Sequence, residues 1–177
     1  MDTKVNTLRQ FFRQPNRGYL IREIARLAGV NHVTARKHIR EYLKEGMIVK
    51  KAAAPYPVFS ANTSSKKYLN LKLCHNLELI RESGLVERLE REYDYPVIVL
   101  FGSFAKAIDD EASDVDICII SNVDKAMDLS SYERVLGRKI SIHKFTRKTW
   151  ETAKRKNPGL VNGIANGIVL SGQLEVV

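Results

Sequence analysis

Cysteine is scarce in this 177-residue chain: Cys74 and Cys118 are the two that occur. They form neither a metal-ligand spacing nor a disulfide framework, so both are expected as buried free thiols in a reducing compartment. Long apolar runs are also missing. No stretch approaches the roughly 20 apolar residues of a membrane helix, and the first residues lack the apolar core of a signal peptide. A cytoplasmic location, with no membrane partner, is the expectation. Neither internal repeats nor low-complexity segments break up the chain, and its length allows one large domain or two small ones.

Negative charge is deficient in one region only. Residues 1–51 hold four Asp/Glu against twelve Lys/Arg, whereas the remainder holds sixteen against seventeen. The net charge of +9 therefore belongs almost wholly to the N-terminal third. Such asymmetry points to nucleic acid or another anionic surface as the partner of that part alone.

The densest chemical pattern lies further on. Val97–Phe101 is a continuous apolar, β-branched run, as in a buried strand, and it stops at Gly102-Ser103 before a short helical segment. A strand–turn–helix junction of this kind aims backbone N–H groups and a hydroxyl at one spot, which suits a phosphate. Eleven residues after Ser103, Asp114 and Asp116 flank Val115 at the start of a second strand-like stretch, Val115–Ile120. Alternation puts both carboxylates on one face while Val115 and Ile117 point to the core. Two carboxylates opposite a phosphate-holding turn make a place for Mg²⁺ bridging protein and nucleoside triphosphate.

Gly102, Ser103 and Ala105, followed by Ser113, Asp114 and Asp116, resemble the G-S-x-A-x-G … S-D-x-D signature of minimal nucleotidyltransferases in the DNA polymerase β-like superfamily. Ala107 stands where the family usually has glycine. The resemblance implies Gly102, Ser103 and Ser113 as nucleotide-binding residues and Asp114 and Asp116 as Mg²⁺ ligands. It also implies transfer of a nucleoside monophosphate to an acceptor hydroxyl, with a protein acceptor among the possibilities. Catalytic members add a third carboxylate from a neighbouring strand. The corresponding strand here, Arg138–Phe145, offers Ser141 at that place, and no Asp or Glu falls between Glu133 and Glu151. His143, on the same face, is either a substitute general base or a surface histidine on an edge strand. The trio Asp109, Asp110 and Glu111 is expected as a solvated loop tip. The basic residues Lys148, Lys154, Arg155 and Lys156 are expected on a solvated helix face.

In the basic third, Val5–Phe12 and Ile21–Leu27 read as amphipathic helices. Gly29 supplies a sharp turn, and Asn31 is a good N-cap for a helix running to about Glu45. Ala35, Ile39, Tyr42 and Leu43 form that helix's apolar stripe, and His32, Thr34, Arg36, Lys37 and Arg40 its outer side. With strands at Met47–Lys51 and Val58–Ser60, residues 1–61 resemble a winged helix-turn-helix. That resemblance implies double-stranded DNA as partner, with the five outward residues of the second helix on bases and phosphates. A homodimer would suit paired half-sites, and the leucine-rich stretch near 68–80 is a candidate seam.

The expected architecture is therefore α+β: a winged helix-turn-helix over 1–61, a polar joint near Asn62–Lys67, and a polymerase β-type nucleotidyltransferase domain with a mixed sheet over 62–177. The competing reading is a transcription regulator whose nucleotidyltransferase-like domain senses nucleotide or dimerises without turnover.

Overall fold

The structure is a computed structural model that describes residues 3–175. The chain divides into two compact units at Lys72/Leu73, inside a helix that begins at Lys66.

The first unit opens with α1 (Thr3–Arg13), which buries Leu8, Phe11 and Phe12. Helix α2 (Ile21–Ala28) ends where Gly29 adopts φ +65°, the left-handed conformation that a glycine takes without steric cost. Two residues later Asn31 caps α3 (His32–Lys44), its side chain accepting the Thr34 N–H at 2.8 Å. Strands β1 (Ile48–Lys51) and β2 (Val58–Ala61) form an antiparallel hairpin, with Ile48 opposite Ala61 and Lys51 opposite Val58. Their inner residues close a core with Phe11, Ile24, Ile39, Tyr42, Met47 and Tyr68. Tyr68 belongs to α4 (Lys66–Glu82), and its hydroxyl donates to Phe11 O at 2.7 Å. The buried stripe of α3 also takes in His38, whose Nδ1 lies 3.0 Å from the buried Thr7 hydroxyl.

The second unit is a mixed four-stranded sheet ordered β5–β4–β3–β6. Its centre is β3 (Val97–Phe101), in which Ile98, Val99 and Leu100 are fully buried. Strand β4 (Val115–Ile120) runs antiparallel to it and pairs Phe101 with Asp116. Strand β5 (Ile140–Phe145) lies parallel to β4, placing Ser141 beside Asp116 and His143 beside Cys118. At the other edge β6 (Ile168–Ser171) is antiparallel to β3.

Alternation along these strands sends side chains into two layers. Ile98, Leu100, Ile117 and Ile119 pack with Ile80 and with Leu85, Val86 and Leu89 of α5 (Leu85–Glu92). On the opposite face Val99, Cys118 and Ile120 pack beneath α8 (Arg147–Lys156) and α9 (Pro158–Ala165) through Trp150, Val161 and Ile164. The short α6 (Gly102–Ala105) follows β3 directly, and α7 (Ser130–Leu136) precedes β5.

Two expectations need correcting. Cys74 is exposed on α4 rather than buried; Cys118 is buried, and burial pushes its thiol up to about 12. The acidic trio is not uniformly a solvated tip, because Asp109 is fully buried while Glu111 is exposed. Beyond these, α7 (Ser130–Leu136) stands in a segment for which no element was expected. Leu129, Tyr132 and Leu136 recur at helical spacing along it and pack against the core.

Candidate functional site

Strand β4 carries Asp116, Cys118 and Ile120 on the face covered by α8 and α9. Cys118 and Ile120 lie in the packed part of that face. Asp116 lies one alternation nearer the strand's start and is only partly covered, with 29% of its side chain accessible. Asp114, just before β4, is exposed. Its charge still reaches Asp116: burial raises the Asp116 carboxyl above its ordinary value, His143 pulls it down, and Asp114 raises it further. The two acids thus share one electrostatic neighbourhood at an open end of the sheet face.

Across the strand pair, Gly102 follows Phe101 with φ +73°. A Cβ at residue 102 would overlap Asp116 Oδ2 and stand 3.1 Å from Asp116 Cγ. Glycine suits this backbone conformation, and a side chain here would force the Asp116 carboxylate to shift. Ser103, the next residue, is half-buried, and among the described residues its hydroxyl has no hydrogen-bond partner. The chain then turns through Ala107, which holds φ +56° while buried. That is the left-handed conformation for which glycine is the usual occupant.

Ser113, the third residue that the resemblance assigns to nucleotide, hydrogen-bonds within its own loop. Its hydroxyl donates to Asp110 Oδ1 at 3.1 Å and accepts the Asp110 N–H at 3.0 Å. The Ala112 N–H also bonds Asp110 Oδ1, and these contacts hold the Asp110 carboxyl below its ordinary value. Ser113 thus shapes the turn that leads into Asp114.

On β5, Ser141 Oγ lies 3.3 Å from His143 Nε2, which in turn lies 3.9 Å from Asp116 Oδ1. The imidazole meets the Phe101 ring edge-on with centroids 5.1 Å apart. Gly102, Ser103, Asp114, Asp116, Ser141 and His143 are thereby assembled around one end of the sheet. Among the described residues no group of three or more His, Cys, Asp and Glu side chains forms a metal cage. What this end of the sheet offers a cation is at most the two carboxylates of Asp114 and Asp116, the former exposed. That set suits Mg²⁺, which is commonly held by one or two carboxylates with substrate phosphates and water completing the octahedron. It does not suit a cation that must be enclosed by protein.

A network that sequence reasoning missed lies behind the site. Asp109 Oδ2 accepts from Arg138 Nη2 at 2.9 Å, and Asp109 Oδ1 accepts from Asn76 Nδ2 at 2.9 Å. No local motif marks it, since Asp109 reads as one of three loop acids and Asn76 as a polar residue in a leucine-rich helix.

The basic helix α8 leaves Lys148, Arg155 and Lys156 exposed, while Lys154 pairs with Glu151 at 2.7 Å. In the first unit His32, Arg36, Lys37 and Arg40 are exposed along α3, and Thr34 is half-buried. A cavity of about 370 Å³ beside them is lined by Leu20, Arg22, Tyr56 and Phe59 together with His32 and Arg36.

Residues 82–165 match the family model of the nucleotidyltransferase domain. The match takes in α5 through α9 and every residue gathered at the open end of the sheet, and it leaves out Asn76 and the whole first unit. No curated protein matches the chain. Among the described residues no helix is long and apolar enough to cross a membrane.

Proposed function

We propose, from the nucleotidyltransferase domain at residues 82–165, that the chain binds a Mg²⁺–nucleoside triphosphate at Gly102, Ser103, Asp114 and Asp116 and transfers the nucleoside monophosphate to an acceptor hydroxyl. The observation that carries this reading is the fit of Gly102 against Asp116: the chain turns from β3 where a side chain would displace the carboxylate from its present place. The backbone N–H groups of the turn and the Ser103 hydroxyl would hold phosphate oxygens. Asp114 and Asp116 would hold the Mg²⁺, which when bound offsets the charge of the phosphates. The bond from the acceptor oxygen to the α-phosphorus forms as the α–β phosphoanhydride bond breaks and pyrophosphate departs. The acceptor's proton would pass to His143, whose ring is oriented by Phe101 and Ser141.

The first unit we read as a winged helix-turn-helix on double-stranded DNA, with α3 carrying His32, Thr34, Arg36, Lys37 and Arg40 toward it. Supporting this are the Gly29 turn, the Asn31 cap, the antiparallel hairpin after α3, and the excess of twelve basic over four acidic residues in the first 51. Arg36 and Arg40 serve phosphates, and His32, Thr34 and Lys37 serve bases or the phosphates beside them.

A specific observation favours a second reading, a regulator that binds nucleotide without consuming it. Ser141 is the residue paired with Asp116 in the β4–β5 register, and no acid lies in β5. Incubation with Mg²⁺ and labelled ATP, GTP, CTP and UTP separates the two. Pyrophosphate release and label transfer that vanish in Asp116→Ala are expected for the enzyme. Calorimetric binding without turnover would replace it with the regulator, whose nucleotide alters DNA affinity by coupled binding.

A further inference from the structure

We infer that Asn76, Asp109 and Arg138 form a buried polar clamp that positions the two halves of the nucleotide site against each other. The inference rests on the nucleotide-site reading above. The halves are the Gly102–Ser103 turn and the Asp114/Asp116 pair, joined by residues 106–114 with no helix or strand between them. The β3–β4 ladder sets Phe101 against Asp116 at the strand ends. Ser103 and Asp114 lie beyond it, and a connection of that kind does not by itself fix them.

The clamp bonds a backbone group at each edge of this connection. Asn76 Nδ2 donates to Phe104 O at 2.9 Å, one residue beyond Ser103, and to Asp109 Oδ1 at the same distance. Arg138 Nη2 donates to Asp109 Oδ2 at 2.9 Å, and its Nη1 reaches Ser113 O, the carbonyl of the peptide that begins Asp114, at 3.4 Å. The guanidinium also lies over the Phe104 ring, 5.6 Å from its centroid. One carboxylate, Asp109, therefore joins a donor tied to the turn and a donor tied to the acid pair.

Burial makes the arrangement costly to build without purpose. Asp109 is 0% accessible, Asn76 2%, and the Arg138 side chain 7%. Apolar side chains of similar volume often fill such space at equal or better stability, because no charge needs desolvating. What they lack is direction: a carboxylate with two fixed donors sets distances that methyl groups do not. Asn76 lies outside the segment matching the nucleotidyltransferase family, so this half of the clamp is contributed by α4. None of the three touches the proposed nucleotide or metal; they are positioning residues.

The test uses the full chain carrying Asn76→Ala or Arg138→Lys, with Leu89→Ala as a control in the same unit's core. Arg138→Lys keeps the charge and loses the fork that reaches both Asp109 and Ser113 O. Three quantities are read: melting temperature, the ¹⁵N–¹H positions of Ser103, Asp114 and Asp116 without nucleotide, and calorimetric affinity for each Mg²⁺–nucleoside triphosphate. The clamp predicts shifted amides at those three residues and at least tenfold weaker nucleotide binding in both clamp variants. Leu89→Ala should lower the melting temperature yet keep those amides in place and bind within twofold of wild type. Wild-type amide positions and affinity in the clamp variants would overturn the clamp alone. A wild-type protein that binds no Mg²⁺–nucleotide would overturn the nucleotide-site reading and the clamp's purpose with it.

Discussion

The carboxylate of Asp116 fills the space in which a side chain at residue 102 would stand. Gly102 is also held at φ +73°, a conformation that costs an L-residue roughly 1–2 kcal/mol. Gly102→Ala therefore carries two penalties. The chain should lose about 1–2 kcal/mol of stability, and the displaced carboxylate should weaken Mg²⁺–nucleotide binding by at least tenfold. Denaturant unfolding and calorimetry on the same preparation check both. A variant that loses stability and binds normally would separate the glycine from the site.

Asp116 yields a prediction whose sign follows from its surroundings. Burial first, then Asp114, raise its carboxyl above the ordinary value, against the opposing pull of His143. The native chain consequently binds this proton more tightly than the unfolded chain. Stability from this group is greatest below its ordinary value, falls as pH rises through the interval up to the raised value, and stays reduced above it. Asp116→Asn removes the penalty, so its melting temperature should exceed that of wild type at pH 7. The difference should close as pH drops below the ordinary carboxylate range. The same substitution removes a metal ligand, so the more stable protein should be the one that fails to bind Mg²⁺–nucleotide.

Ala107 tests the turn between the two halves. It is buried and left-handed at φ +56° where the nucleotidyltransferase signature usually has glycine. Ala107→Gly relieves that conformation and gives up a buried methyl and some unfolded-state restriction, so its stability should stay within about 1 kcal/mol of wild type. Ala107→Val adds β-branching to the same backbone and should cost more than about 2 kcal/mol. Equal effects of the two would mean the backbone there is not under conformational demand.

For the first unit, the DNA reading predicts a salt signature. Arg36→Ala and Arg40→Ala should each weaken binding to duplex DNA of any sequence. Each should also lower the slope of log affinity against log salt by about 0.9. Binding that ignores salt, or slopes unchanged in both variants, would favour a protein partner for α3.

Much of this arrangement was legible in the sequence. The bounds of β3 and β4, the Gly29 turn and the Asn31 cap each depend on residues close in the chain, so local pattern suffices to find them. The face that Ser141 shares with Lys139 and His143 was legible from alternation, and the family resemblance singled Ser141 out. Its pairing with Asp116 comes from the β4–β5 register. Long-range polar contacts were not legible. Asp109 finds Arg138 twenty-nine residues away and Asn76 thirty-three residues away, while Thr7 and His38 meet across thirty-one. Nothing in the neighbours of these side chains distinguishes a buried partner from a solvated one. Helix α7 was overlooked although Leu129, Tyr132 and Leu136 recur at helical spacing, because the stripe is only about two turns long.

The most direct measurement is calorimetric titration of the full chain with each nucleoside triphosphate, with and without Mg²⁺, beside the double variant Asp114→Asn/Asp116→Asn. The account predicts saturable binding of at least one triphosphate that requires Mg²⁺ and disappears in the double variant. Binding that persists at wild-type strength in that variant, or that is indifferent to Mg²⁺, would contradict it.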